Sequence, residues 1–207
     1  MVLIMPLTLE QRATLLLIAR RTIEAAVCGR QPPAFTVDDP ELSRLSGVFV
    51  TIRTRGQLRG CIGRFVGDAP LDQLVARMSV AAATQDPRFA NNRLRPHELC
   101  DCHIDISILS PLELIADPLD FQIGTHGIHV RSGQRSGCFL PQVGPDAGWT
   151  PEQMLTQCCA RKAGLAPDAW RRGEVEVRRF TAELIEEPEL REQPQAAANA
   201  VIVQPGV

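Results

Sequence analysis

The run Leu58-Arg59-Gly60-Cys61-Ile62-Gly63 has the clearest chemical content in the chain. Side chains of an extended strand alternate between faces, so Leu58, Gly60 and Ile62 are expected to point one way and Arg59, Cys61 and Gly63 the other. Arg59 and Cys61 then become neighbours on one surface. A guanidinium beside a thiol favours the thiolate, which is the nucleophilic form. The two glycines weaken a strand and suit a place where a ligand or another backbone comes close. Cys61 is therefore the candidate nucleophile, with Leu58, Arg59, Gly60, Ile62 and Gly63 as candidate binding residues around it. The same pattern also suits a small buried cysteine kept for its volume, and a glycine bulge would turn Cys61 to the other face.

A base for such a thiol is less clearly written. His126, set between Gly124 and Gly127, titrates near neutrality and is the candidate general base. Its alternative is a turn histidine that hydrogen-bonds its own loop. The glycine pair is not a phosphate loop, because no Gly-Lys-Ser/Thr follows and no helix opens there. Cys100-Asp101-Cys102-His103 contains zinc-type ligands, but a zinc motif needs wider spacing and a second pair. Cys158 and Cys159 are adjacent on a helix and point in different directions, so no metal and no cofactor is expected. Asp86 and Arg88 read as a local ion pair bracing a helix end. Lys162, the only lysine, suits the end of a helix, where the dipole favours cations.

These groups need a scaffold. Thr8-Leu9-Glu10-Gln11 is a capping box that opens a helix. Leu9, Ala13, Leu16, Leu17, Ile23 and Val27 recur along it at helical spacing, and Gly29 is placed to end it. Val48 to Arg53 has the β-branched density of a strand, and the turn Arg55-Gly56-Gln57 returns it as the strand bearing Cys61. Asp68-Ala69-Pro70 opens a second helix with Leu71, Leu74, Val75 and Met78 inward. Ile104, Ile106 and Ile108 mark another strand with one buried face.

From about Leu119 the texture changes to three short strand-like runs, 121–123, 127–131 and 138–143, joined by glycine turns. Thr150-Pro151-Glu152-Gln153 is a second capping box with proline at the first helical position. Glu174-Val175-Glu176-Val177-Arg178 reads as a late strand able to rejoin the first sheet. The expected class is α+β, with two subdomains that each hold a small antiparallel sheet flanked by helices, the smaller inserted into the larger. The larger spans about residues 1–116 with 172–187, the smaller about 117–171, and a mobile tail is expected over 188–207.

Composition narrows the function. The chain is 44% hydrophobic and 22% charged, as ordinary globular proteins are. A net charge of −2, from 22 basic and 24 acidic residues, supplies no field for phosphate backbones or anionic lipid. With no tyrosine and few aromatics, nucleic-acid binding is disfavoured. No run approaches the ~20 apolar residues of a membrane helix, and the start lacks the features of a secretory signal. Seven cysteines without framework spacing suit free thiols in a reducing, cytoplasmic setting.

Gly47-Val48-Phe49-Val50-Thr51 followed by Leu58-Arg59-Gly60-Cys61-Ile62-Gly63 resembles the hallmark of the AMMECR-domain family. Ordered matches follow at Asp86-Pro87-Arg88-Phe89, Gly124-Thr125-His126-Gly127-Ile128, Leu140-Pro141-Gln142-Val143, Gly148-Trp149 and Lys162-Ala163-Gly164-Leu165. The resemblance implies an AMMECR-like domain over 1–187 whose hallmark strand faces an inter-subdomain cleft, with Gln142 added to the binding residues. It names no reaction. In prokaryotes such proteins belong to the AmmeMemoRadiSam set, which implies a Memo-like protein and a radical-SAM protein as partners. This chain has no Cys-x-x-x-Cys-x-x-Cys, so cluster chemistry would belong to a partner. Cys138 stands where the family more often has an aliphatic residue, and Gly144-Pro145 replaces a more usual alanine-containing turn. A non-catalytic adaptor that recognises a peptide or partner protein is the alternative to a substrate-binding protein with thiol chemistry.

Overall fold

The computed structural model describes residues 6–187 and 201–204. In chain order the elements are α1 (Leu9–Val27), β1 (Ala34–Val37), β2 (Gly47–Thr54), β3 (Gln57–Arg64), α2 (Leu71–Thr84) and β4 (Cys102–Leu109), then β5 (Glu113–Leu114), β6 (Gly127–Ser132), β7 (Arg135–Phe139), α3 (Val143–Ala147) and α4 (Pro151–Gln157). β8 (Glu176–Phe180), β9 (Ala182–Glu186) and β10 (Val201–Gln204) follow. The class is α+β. Two compact units divide the chain, one of residues 1–108 with 183–207 and the other of 109–182.

In the first unit the sheet runs β3-β2-β4-β9. One face is apolar and covered by helices: Val48, Val50, Ile52, Ile104, Ile106 and Ile185 are buried with Leu71, Leu74 and Val75 of α2 and Leu15, Ile18 and Ile23 of α1. The first capping box forms, with Gln11 N donating to Thr8 Oγ1 at 3.2 Å and Thr8 N donating to Gln11 Oε1 at 2.9 Å. Leu9 nevertheless lies on the solvent side, 55% exposed. The buried stripe centres instead on Leu15, Ile18, Ala19, Thr22 and Ile23. α1 is also tied to the sheet, since Arg20 pairs with Glu187 and donates to the carbonyls of Leu99 and Cys102. The tail expected over 188–207 lies outside the described residues except at 201–204, where β10 pairs antiparallel with β1.

The second unit holds a sheet ordered β5-β8-β6-β7. Ile128, Val130, Phe139 and Val177 from its strands pack with Met154, Leu155 and Cys158. The second capping box forms at Thr150, with Pro151 at the first helical position. α4 then continues as a π-helical turn, Cys158–Lys162.

Three strand expectations change here. The late strand joins this second sheet beside β6, and β9 is the one that rejoins the first. Residues 121–123 form tight turns in which Phe121 N bonds to Leu119 O and Thr125 N to Gln122 O, so their backbone groups have no ladder to enter. β7 stops at Phe139, because Pro141 breaks the strand and Val143 begins a short helix. Among the described residues no helix is long and apolar enough to cross a membrane.

Candidate functional site

β2 and β3 form a hairpin closed by Arg55 and Gly56, both at positive φ (51° and 75°), as a tight two-residue turn requires. Its register pairs Phe49 with Gly63, Thr51 with Cys61 and Ile52 with Gly60, and then shifts so that Arg53 faces Leu58. Arg59 is the extra residue of a β-bulge. The bulge leaves Cys61 opposite Thr51, on the face away from the helices, and it brings Leu58 to that same face opposite Arg53. Strict alternation placed Leu58 on the other side.

The bulge also sends Arg59 elsewhere. Its guanidinium is 9% exposed and is taken up by Glu98, at 2.5 and 3.1 Å, and by the carbonyls of Asn92 and Arg93. The hydrogen bond from Arg59 holds the Glu98 carboxyl down at about 2 against the opposing effect of burial, with further help from the Arg95 backbone N–H. Arg59 thus braces the segment after α2 and is not the cation at the thiol. Beside it, Thr54, Arg55, Gln57, Arg59, His97 and Glu98 line a pocket of about 340 Å³.

Arg88 is the cation at Cys61. β3 is an edge strand, and the outward backbone groups of Cys61 meet the segment that follows α2. Cys61 N donates to Asp86 Oδ2 at 2.9 Å, and Arg88 Nη2 donates to Cys61 O at 3.0 Å. Arg88 closes the clamp on Asp86 at 2.6 Å. The hydrogen bond to Asp86 raises the Arg88 pKa against the effect of burial, and the charge of Asp86 adds to the rise. Burial acts to raise the Asp86 pKa, yet hydrogen bonds from the Arg88 guanidinium and the Cys61 and Arg88 N–H groups hold it below the ordinary carboxylate value. The sequence showed the ion pair but not what it grips. The half-exposed thiol accepts a hydrogen bond from Thr51 Oγ1 at 3.3 Å.

The glycines of the hallmark serve packing. A Cβ at Gly60 would lie 2.1 Å from Ala82 O, so α2 can sit on β3 only where there is no side chain. At Gly63 it would meet the Phe49 ring and Val48 O, both at 2.3 Å. Ile62 packs against the helix-side core. Of the hallmark residues, Leu58, Cys61 and Gly63 are therefore the ones whose pairing puts them on the sheet face away from the helices.

His126 and Gln142 belong to the second unit. His126 Nδ1 accepts from Gln122 N at 3.0 Å and closes its own loop, which is the alternative weighed for it. Burial and then Arg179 lower its pKa, opposed by Glu113 and Asp120. Gln142 precedes α3, its carbonyl accepting from Asp146 N. Lys162 stands over the Phe139 ring at 5.3 Å as well as at a helix end. No disulfide forms among the described residues; Cys102, Cys158 and Cys159 are buried while Cys28 and Cys100 are exposed. Among the described residues no three His, Cys, Asp or Glu side chains gather as a metal site.

The AMMECR1 family model matches residues 16–185. A protein of Methanothermobacter thermautotrophicus is 37% identical over 189 residues, which cover 88% of this chain and 97% of that one. One from Thermococcus gammatolerans is 41% identical over 183 residues, covering 82% and 87%. The crystal structure of an uncharacterized protein from Pyrococcus horikoshii is similar with a TM-score of 0.78 and 32% identity, covering 93% of this chain and 95% of that one. With the match spanning both units and every hallmark residue, the chain belongs to the AMMECR1 family.

Proposed function

We propose that this protein binds a substrate or partner over the strand 58–63, on the sheet face that presents Cys61, and that the Cys61 thiol is the chemically distinctive group there. The clamp on Cys61 carries this reading. Asp86 and Arg88 fix both backbone groups of one residue and hold a guanidinium against its carbonyl oxygen, while the thiol itself stays half exposed. A buried cysteine kept for volume needs neither arrangement. His126 is kept as a candidate base on the sequence reading alone, and Gln142 joins only through the family resemblance, as do the Memo-like and radical-SAM partners.

A specific observation supports the adaptor as second reading. Leu45 and Val66 are 66% and 73% exposed near the open end of the same hairpin, where Phe49 and Phe65 meet edge to face. Apolar groups so placed suit a protein partner. Iodoacetamide labelling of the native protein across pH, read by peptide mass spectrometry, tests the thiol reading. Cys61 is expected to label with an apparent pKa below the free-thiol value of about 8.5. No labelling, or an apparent pKa at or above that value, removes thiol chemistry and leaves the adaptor.

A further inference from the structure

The second sheet carries a Cys–His pair of its own. In the register of β6, β7 and β8, His129 stands opposite Cys138 on one side and opposite Arg178 on the other. Two residues along β6, Arg131 stands opposite Ser136 and Glu176. The intervening Ile128, Val130 and Val177 are buried in the core. His129, Cys138, Arg178 and Arg131 therefore share the other face, on which His129 and Cys138 are half-buried and Arg131 is exposed. Directly opposed residues have Cβ atoms roughly 5 Å apart, within reach for a thiol and an imidazole.

The charges on this face favour proton transfer from the sulfur. Burial first, then Arg178 and Arg131, lower the His129 pKa against the single opposing carboxylate of Glu176. The ring is thus neutral at pH 7 and has an acceptor nitrogen. Arg131, diagonal to Cys138 across the β6–β7 pair, stabilises negative charge developing on the sulfur, while Arg178 lies on the far side of His129 and pairs with Glu176 at 3.5 Å. Burial drives the pKa of the Cys158 thiol far up.

We propose that Cys138 is a second thiol site of this protein, activated by His129, which forms mixed disulfides with small disulfides that carry carboxylates. His129 takes the Cys138 proton and the thiolate attacks one sulfur of the disulfide. The new S–S bond forms as the old one breaks, and the departing thiolate recovers the proton from the imidazolium. One disulfide is exchanged for another, so no external oxidant or reductant is needed. Arg178 and Arg131 receive the carboxylates of the incoming disulfide. The site is distinct from Cys61, which belongs to the first unit.

The test treats native protein with oxidised glutathione and, separately, with the neutral bis(2-hydroxyethyl) disulfide, and maps mixed disulfides by unreduced peptide mass spectrometry. The exposed Cys28 and Cys100 serve as internal references. Cys138 is expected to react at least as fast as both despite its burial, and several-fold faster with the anionic reagent than with the neutral one. In His129→Gln at pH 7 its rate should fall about tenfold or more, as loss of a general base predicts. Cys28 and Cys100 should keep their rates, and the deficit should narrow toward pH 9. Slower modification of Cys138 than of both references in the wild-type protein overturns the proposal, even should the variant not fold. An unchanged rate in folded His129→Gln overturns it too, and equal rates with the two reagents overturn the carboxylate selectivity.

Discussion

The Asp86 carboxylate, its side chain only 1% exposed, holds the backbone N–H of Cys61 at 2.9 Å across 25 positions of sequence. Asp86 begins the short 3-10 turn Pro87–Phe89, where its Oδ1 also accepts from Arg88 N at 3.1 Å. One carboxylate therefore ends α2, orients Arg88 and occupies the free edge of β3. An edge strand left bare offers its amide groups to any passing strand. Here the edge is covered at the residue that carries the thiol.

Asp86→Ala should accordingly destabilise the fold by about 2–3 kcal/mol, because it strands a donor at Cys61 and removes the partner of Arg88. Arg88→Ala, which removes a half-exposed group, should cost about 1 kcal/mol. Urea unfolding measures both. An Asp86→Ala variant within about 0.5 kcal/mol of wild type would show that the clamp adds no stability.

Gly60→Ala should be far more damaging than Gly56→Ala. The first places a Cβ 2.1 Å from Ala82 O, a backbone atom in a helix that cannot yield cheaply. A cost of about 3 kcal/mol is expected from such overpacking. At Gly56 nothing lies within 4 Å and only the positive φ is strained, at about 1 kcal/mol. Thermal unfolding of the two variants should rank them in that order, and equal losses would contradict the packing role of Gly60.

How much of this was legible depends on range. Both capping boxes, the β2–β3 pair and the Ile104-Ile106-Ile108 strand follow from neighbours within a few residues, and all form. The hallmark was equally legible as a motif, but its geometry was not. Alternation alone paired Arg59 with Cys61, whereas a bulge set by the packing of Gly60 on α2 moved Arg59 onto Glu98. The edge clamp was hidden for the same reason. Asp86 and Arg88 show their mutual pairing locally, and their hold on Cys61 exists only once α2 has folded back along β3. Likewise nothing in Glu174-Val175-Glu176-Val177-Arg178 says which of two sheets it joins. Strand order is a property of the assembled units.

The Arg59–Glu98 pair gives the stability a pH signature. The folded carboxyl titrates at about 2 and the free one at 4.5. A depressed folded pKa stabilises the protein above the unfolded value, and the gain is lost as pH falls from 4.5 through about 2. Glu98 is partly exposed, so solvent screening limits the size of the effect. Wild-type protein should lose denaturation resistance over that window more steeply than Glu98→Gln does. Parallel curves for the two proteins between pH 5 and 2 would show that the pair contributes nothing.

Cys61→Ser separates chemistry from recognition at the hallmark. Serine nearly preserves the volume and can still accept the hydrogen bond that Thr51 gives the sulfur. The clamp uses only the backbone of residue 61, so the variant should fold with a melting temperature close to wild type. Asp86, the carboxylate nearest at hand, is committed to Arg88 and to the Cys61 N–H and is not placed to act as a base. A serine hydroxyl without a base is a poor nucleophile. If the strand only recognises a partner, folded Cys61→Ser should complement a deletion strain and capture the same partners as wild type. If the thiol reacts, capture should persist while complementation fails. The clamp predicts the second outcome, because recognition alone gives no reason to fix both backbone groups of a half-exposed cysteine. Complementation by folded Cys61→Ser at the wild-type level would make this protein an adaptor.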